Sequence, residues 1–303
     1  MCYKLLFTKN KAIKQLINRY LASSFSVFTN NREITGIEGR KVPLYQGGYN
    51  QKILYISGVA MGISKSQNSP AMEIAQAIAV HLSQNSDSLF RVKVVPPGWI
   101  HLELVDSTLA AWLHSFTVSG TREWGPGQNE QERIITSASN HQLTNSLTIF
   151  KIQYAHSRCC SLLQIGQQDG LIELHRTGMK SFVSVKPIPW LNSDQKLCLN
   201  HPDESFLMHQ LVKVVDDLVF ADSSSSVNWE KSGENLSQAF EKFWCNCRIW
   251  GEVKIHAPEL AQARLGLLIV TQLVLRSVLE DKLGMIAPVE SITLFLEVSD
   301  KFR

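Results

Sequence analysis

The 303-residue sequence lacks the charge imbalance that would by itself point to a polyanionic ligand: 30 Lys and Arg face 27 Asp and Glu, a formal charge of +3. Any electropositive surface must therefore come from local clustering. A cysteine framework is also missing. The six cysteines, Cys2, Cys159, Cys160, Cys198, Cys245 and Cys247, have neither disulfide-scaffold nor finger-like metal spacing. Two residues apart on a helix, Cys245 and Cys247 point about 200° away from each other. Structural free thiols in a reducing, cytoplasmic setting are expected, with no metal and no cofactor. No apolar run reaches the roughly 20 residues that span a bilayer. The best stretch, Leu265 to Leu275, contains Thr271 and Gln272 and is flanked by Arg264 and Arg276, so no membrane insertion is expected. Lys4, Lys9, Lys11 and Lys14 precede a segment broken by Gln15, Asn18 and Arg19, which does not suggest a secretory peptide. Paired acids with a partner histidine at diagnostic spacing are absent too. Asp203-Glu204 and Asp216-Asp217 read as solvated helix starts and faces, and no enzyme site emerges.

What is present is enough apolar sequence, 44%, for two domains. Ile13, Leu16, Ile17, Tyr20 and Leu21 predict a helix within Lys11 to Phe25. Ile53 to Ile56 suits a strand. A helix follows Ser69-Pro70 with its stripe at Ile74, Ala75, Ile78, Ala79 and Leu82. Phe90 to Val94 and Trp99 to Leu104 alternate as strands about a Pro96-Pro97-Gly98 turn, and Ser107 opens a helix from Thr108 to Phe116. Residues 1–118 thus predict an α+β domain. Residues 119–146, rich in Gly, Ser, Asn and Gln, read as a linker with a short helix at Glu130 to Ser139.

From 147 to 303 the periodicity is helical. One helix runs Thr148 to Ile165 and stops at Gly166; Leu171 to Val185 suggests a hairpin or irregular insert. A third segment starts at His201-Pro202, and Ser223 to Ser226 is a loop. Two further helices carry Leu236, Phe240, Phe243/Trp244 and Cys247, and Leu260, Ala263, Leu267, Val270, Val274 and Val278. An all-α bundle is expected.

Gln153-Tyr154-Ala155-His156-Ser157-Arg158-Cys159-Cys160-Ser161-Leu162-Leu163 resembles the opening helix of the DALR-type anticodon-binding domain of arginyl-tRNA synthetases. Phe240 to Ile249 and Ala261 to Pro288 are similar to its later helices, in order. Residues from about 11 to 116, through Ser66-Gln67-Asn68-Ser69-Pro70-Ala71-Met72, Glu73 to Ala79 and Pro97 to Leu104, also look like that synthetase's N-terminal domain, which in the family contacts the tRNA elbow. The family places a class I catalytic domain between these regions. Residues 119–146 are too few to form it, and none of the nine histidines lies in a His-Ile-Gly-His type signature. Ile63-Ser64-Lys65-Ser66 resembles the second class I signature, but Gly62 replaces its first lysine; coincidence is the simpler account, and Lys65 on a loop can still meet a phosphate.

The resemblance implies noncatalytic binding of tRNA or structured RNA, with Lys65, Tyr154, His156, Arg158, Arg248, Arg264 and Arg276 as candidate contacts and no role for DNA. Bland alternatives stand beside them: Tyr154 packs between helices, Arg158 joins an intradomain ion pair, and Arg276 pairs with Glu280 one turn on. The rival function is a protein-binding scaffold or assembly subunit using the Trp244/Trp250 neighbourhood. A third is arginine–tRNA ligase-related activity, only with a separate catalytic chain.

Overall fold

The computed structural model describes residues 11–28, 42–48, 52–86, 88–119, 146–177, 181–220 and 226–289. The predicted short helix at Glu130 to Ser139, the linker beyond Ser119, most of the Ser223 to Ser226 loop, and Cys2 lie outside them. The chain divides into two compact units. One comprises Met1–Trp112, Leu191–Leu197 and Val215–Asp222; the other comprises Leu113–Trp190, Cys198–Val214 and Ser223–Arg303.

The first unit contains α1 (Ile13–Phe28), β1 (Leu44–Gln46), β2 (Leu54–Ser57), α2 (Val59–Gln67), α3 (Ala71–Asn85), β3 (Phe90–Val95) and β4 (Trp99–Leu104), and α4 (Asp106–Ser119) begins in it. The strands form one antiparallel sheet in the order β1-β2-β4-β3. The alternation read from Trp99 to Leu104 is a real two-faced strand, with Ile100, Leu102 and Leu104 buried. The predicted stripes on α1 and α3 are buried at Ile13, Leu16, Ile17 and Leu21, then at Ile74, Ala75, Ile78 and Leu82, while Tyr20 and Ala79 are half-buried. Gly98 turns β3 into β4 at φ +145°, and a Cβ there would lie 3.0 Å from Ala71 Cβ, so only glycine fits. Trp112, wholly buried, donates its Nε1–H to the Lys11 carbonyl at 2.8 Å.

Sequence expectations change at α2, α4 and Asp216. The helix α2 was missed because only Val59, Ala60 and Ile63 turn inward, too few for a visible period. Lys65 therefore stands on the last turn of a helix rather than on a loop; Asn68 closes it in the left-handed conformation at φ 54°. The helix α4 also runs past Phe116. Asp216, expected on a solvated face, is buried. Its carboxylate accepts the Lys14 backbone N–H at 2.9 Å and the Tyr55 hydroxyl. Burial pushes this carboxyl up to about 7 against the pull of those hydrogen bonds, and burial with the neighbouring Asp216 also raises the Tyr55 phenol.

The remaining elements are α5 (Ser146–Gln168), the hairpin β5 (Leu174–Thr177) and β6 (Ser181–Ser184), α6 (Pro202–Val219), α7 (Trp229–Asn246), the short α8 (Glu252–His256) and α9 (Pro258–Ser277), which continues as a π-helical turn, Val278–Lys282. In the second unit α5 packs along α9 and α7 packs on α5. Asn228 caps α7, its side chain accepting the Lys231 N–H at 2.9 Å. Gly166 does not stop its helix. A Cβ there would meet two Leu265 methyls at 2.8 Å, so the glycine lets α5 and α9 approach closely.

The helix α9 is buried nearly all round from Ala261 to Ser277, which marks it as the central helix of this unit. Together with the π turn, Pro258–Lys282 is long and apolar enough to cross a membrane, but 89% of its most apolar window is covered inside the protein. The apolar run was longer than Leu265 to Leu275 suggested, and its burial accounts for it.

Candidate nucleic-acid interface

The exposed side of α5 carries an unusual run of rings. Phe150 and Tyr154, one turn apart, stack with centroids at 6.4 Å and planes at 27°, and both remain exposed at 38% and 46%. One turn further on, the Arg158 guanidinium lies 5.1 Å from the Trp244 ring centroid on α7. Such a contact contributes about 0.5–1 kcal/mol near a surface. Trp244 meets Trp250 edge-on at 6.1 Å and 77°. Trp250 donates its Nε1–H to Asp169 at 2.7 Å, and Lys254 pairs with the same carboxylate at 3.1 Å; the Lys254 hydrogen bond is the main reason the Asp169 carboxyl sits below its ordinary range. Arg248, between the two tryptophans in sequence, is exposed. Rings flanked by guanidinium groups can stack unpaired bases and meet phosphates.

Burial divides the seven sequence candidates. Tyr154, Arg158 and Arg248 keep surface, with Tyr154 and Arg158 brought onto one helix face. Lys65 is exposed but belongs to the other unit. Arg276 is tied to Glu280 at 2.8 Å, the pair expected from their spacing.

The other two need correction. His156 is 0% exposed; its Nδ1 is 2.8 Å from the Pro288 carbonyl and its Nε2 is 2.8 Å from the Gln272 side-chain nitrogen. A carbonyl only accepts, so Nδ1 carries the proton and Nε2 accepts from Gln272. Arg264 is buried, with Nε 2.6 Å from Glu204 Oε1 and a second hydrogen bond to the Arg248 carbonyl. Neither offers an atom to an RNA in this fold. Glu204, expected to be solvated, is fully buried; its second oxygen accepts the His201 N–H at 2.8 Å, capping α6.

Phe150 was missed although it sits four residues before Tyr154; that spacing was the available signal. Lys242 lies 5.2 Å from the Phe206 ring centroid. The described cysteines, Cys159, Cys160, Cys198, Cys245 and Cys247, are free thiols.

A family model described as the DALR anticodon binding domain matches residues 152–290. Curated relatives include the arginine–tRNA ligase of Synechococcus sp. (strain JA-3-3Ab), 33% identical over 138 residues, which is 45% of this chain and 21% of that protein. The arginine–tRNA ligase of Salinibacter ruber (strain DSM 13855 / M31) is 30% identical over 142 residues, 46% of this chain and 21% of the relative. That of Ruminiclostridium cellulolyticum (strain ATCC 35319 / DSM 5812 / JCM 6584 / H10) is 27% identical over 146 residues, 48% and 22%. The chain thus spans about a fifth of the length of the curated relatives it matches. No solved structure matches it. Residues 152–290 thus carry a DALR domain homologous to part of the arginyl-tRNA synthetases.

Proposed function

We propose that this chain binds tRNA, or an RNA folded like it, without itself joining arginine to it. The observation that carries this reading is the DALR anticodon binding match over residues 152–290, on a domain whose α5 presents exposed rings leading to a guanidinium. Unpaired anticodon-like bases stack on Phe150 and Tyr154, while Arg158 and Arg248 meet the backbone. The first unit, read as related to the synthetases' N-terminal domain, holds an elbow or loop by shape and phosphate contact, with Lys65 as its candidate cation. The absence of catalysis is supported by the extent of the similarity, which covers less than half of this chain and about a fifth of each ligase. A cytoplasmic setting, where free thiols persist, suits the reading.

Crosslinking in native cell extract, with the RNA and protein partners identified, tests the proposal. Enrichment of tRNA that falls with rising salt is the expected result. A stoichiometric protein partner that survives ribonuclease, with no tRNA enriched, overturns it. ATP-dependent arginylation by the purified chain overturns the noncatalytic part.

A protein-binding scaffold is the second reading, and a specific observation favours it. Glu241, Glu252, Glu259 and Asp281 are all exposed on the elements that carry Trp244, Trp250 and Arg248 or follow them, and they would repel phosphates there.

A further inference from the structure

Arg158 and Asp169 stand 11 residues apart at the two ends of one contact chain. Asp169 follows the last residue of α5, yet its N–H still donates to the Ile165 carbonyl at 2.9 Å, as in a helix. Eleven helical residues make three turns and about 20°, a rise of about 16 Å, so the two opposite charges lie on one face. Two half-buried tryptophans bridge them. The Arg158 guanidinium lies over Trp244, Trp244 meets Trp250 edge-on, and Trp250 donates its Nε1–H to Asp169 Oδ2.

We propose that Asp169 is a positioning residue for RNA: it holds Trp250 against Trp244, and Trp244 thereby holds the Arg158 guanidinium where a base or phosphate meets it. This rests on the proposed RNA face and adds to it a residue that acts through Arg158 without touching the ligand.

The backbone around Trp250 is fixed by other contacts. Ile249 is buried, the Cys247 N–H bonds to the Phe243 carbonyl at 2.8 Å, and the Arg248 carbonyl accepts from buried Arg264. Those contacts leave the rotation of the Trp250 side chain open. An indole has one donor, and Trp250 gives it to Asp169. The same Oδ2 accepts from Lys254 at 3.1 Å, so Lys254 fixes the oxygen at which the indole aims. Local electrostatics do not account for the carboxylate. It sits at the C-terminal end of a 23-residue helix, where negative charge is disfavoured. The Lys254 pair, with side chains 38% and 33% exposed, adds little stability by itself. Charge and positioning also predict opposite outcomes. Removing a carboxylate from a phosphate-binding face strengthens binding if the group acts only as a charge, and weakens it if the group holds Arg158 in place.

The test begins without RNA, on the full chain. The Arg158 Nε–H resonance, assigned by its loss in Arg158→Lys, carries the ring-current shift of Trp244. Asp169→Ala should move it most of the way to its position in Trp244→Leu while the melting transition stays that of wild type. Trp250→Phe keeps a ring but loses the donor and should act alike, which also serves if Asp169→Ala does not fold. Asp169→Asn, whose amide oxygen still accepts the indole N–H, should keep the wild-type shift. An Arg158 resonance unmoved by Asp169→Ala and Trp250→Phe, or moved as far by Asp169→Asn, overturns the inference. Titration with tRNA at constant salt follows. Asp169→Ala should weaken binding about three- to tenfold in wild type but by less than about twofold in an Arg158→Ala background. Tighter binding by Asp169→Ala, or equal loss in both backgrounds, overturns the inference. A moved resonance in a chain that binds no tRNA keeps the alignment of Arg158 by Asp169 and removes the RNA reading.

Discussion

Replacing Arg264 by leucine separates an interior role from an RNA-contacting one. The Arg264 and Glu204 side chains are 8% and 0% exposed and meet at 2.6 Å, so solvent screens the pair little. Leucine would leave the Glu204 carboxylate buried with the His201 N–H as its recorded donor, and the Arg248 carbonyl would lose the guanidinium. Breaking a buried pair from one side costs about 3–5 kcal/mol. At about 2–4 °C per kcal/mol for a unit of this size, the melting transition should fall by about 6–20 °C. Arg264→Lys keeps the charge but not the second hydrogen bond, and should lie between. In Arg264→Leu/Glu204→Gln the uncompensated charge is gone while the amide oxygen still caps His201, so the double loss should be smaller than the sum of the single losses by about 1–3 kcal/mol. Urea unfolding followed by circular dichroism measures all four proteins. If Arg264→Leu stays within about 0.5 kcal/mol of wild type yet loses RNA affinity, Arg264 is a phosphate ligand and the reasoning fails.

Three other outcomes follow from the packing and the titrating groups. The native state holds the Asp216 proton more tightly than the unfolded chain does, about 7 against an ordinary value near 3.9. Its contribution to stability is therefore full below about pH 4 and is lost as pH rises through 7. Urea midpoints at pH 5 and pH 8 should differ less in Asp216→Asn than in wild type, and an unchanged difference contradicts the assignment. Gly166→Ala should destabilise by about 1–3 kcal/mol because its methyl would press on Leu265; a neutral result in thermal melts means that α9 yields. In native protein at pH 8, exposed Cys245 should alkylate with iodoacetamide, whereas Cys247, buried and with its thiol pushed up to about 12 chiefly by burial, should react only after unfolding; mass mapping of the labelled peptides decides.

The amphipathic stripes made much of the fold legible. Ile74/Ile78/Leu82 and Leu236/Phe240/Phe243 have neighbours in sequence that fix their inward face, and the Trp99 to Leu104 alternation needs no distant partner to be read. Short elements were less visible, since α2 and β1 bury only a few side chains each. The polar interior was not legible at all. Arg264 and Glu204 are 60 residues apart, His156 and Gln272 are 116 apart, and Tyr55 and Asp216 are 161 apart. Each alone resembles a surface polar residue, and only tertiary pairing makes its burial tolerable. For that reason two of the seven candidates, His156 and Arg264, were read as surface residues although the fold buries them. That Tyr154 and Arg158 share a helix face was legible because they are four residues apart, whereas the placement of Arg158 over Trp244 needed the fold.

The most direct measurement of the central claim is the binding of purified chain to tRNA as a function of salt. With exposed Lys65 and Arg248 and half-buried Arg158 as the candidate cations, three phosphate contacts at about 0.7–0.9 each predict a log–log slope of about −2 to −3. Arg248→Ala should flatten that slope by about 0.7–0.9 without altering the melting transition. Absence of binding at about 50 mM salt, or binding that salt leaves unchanged, contradicts the account.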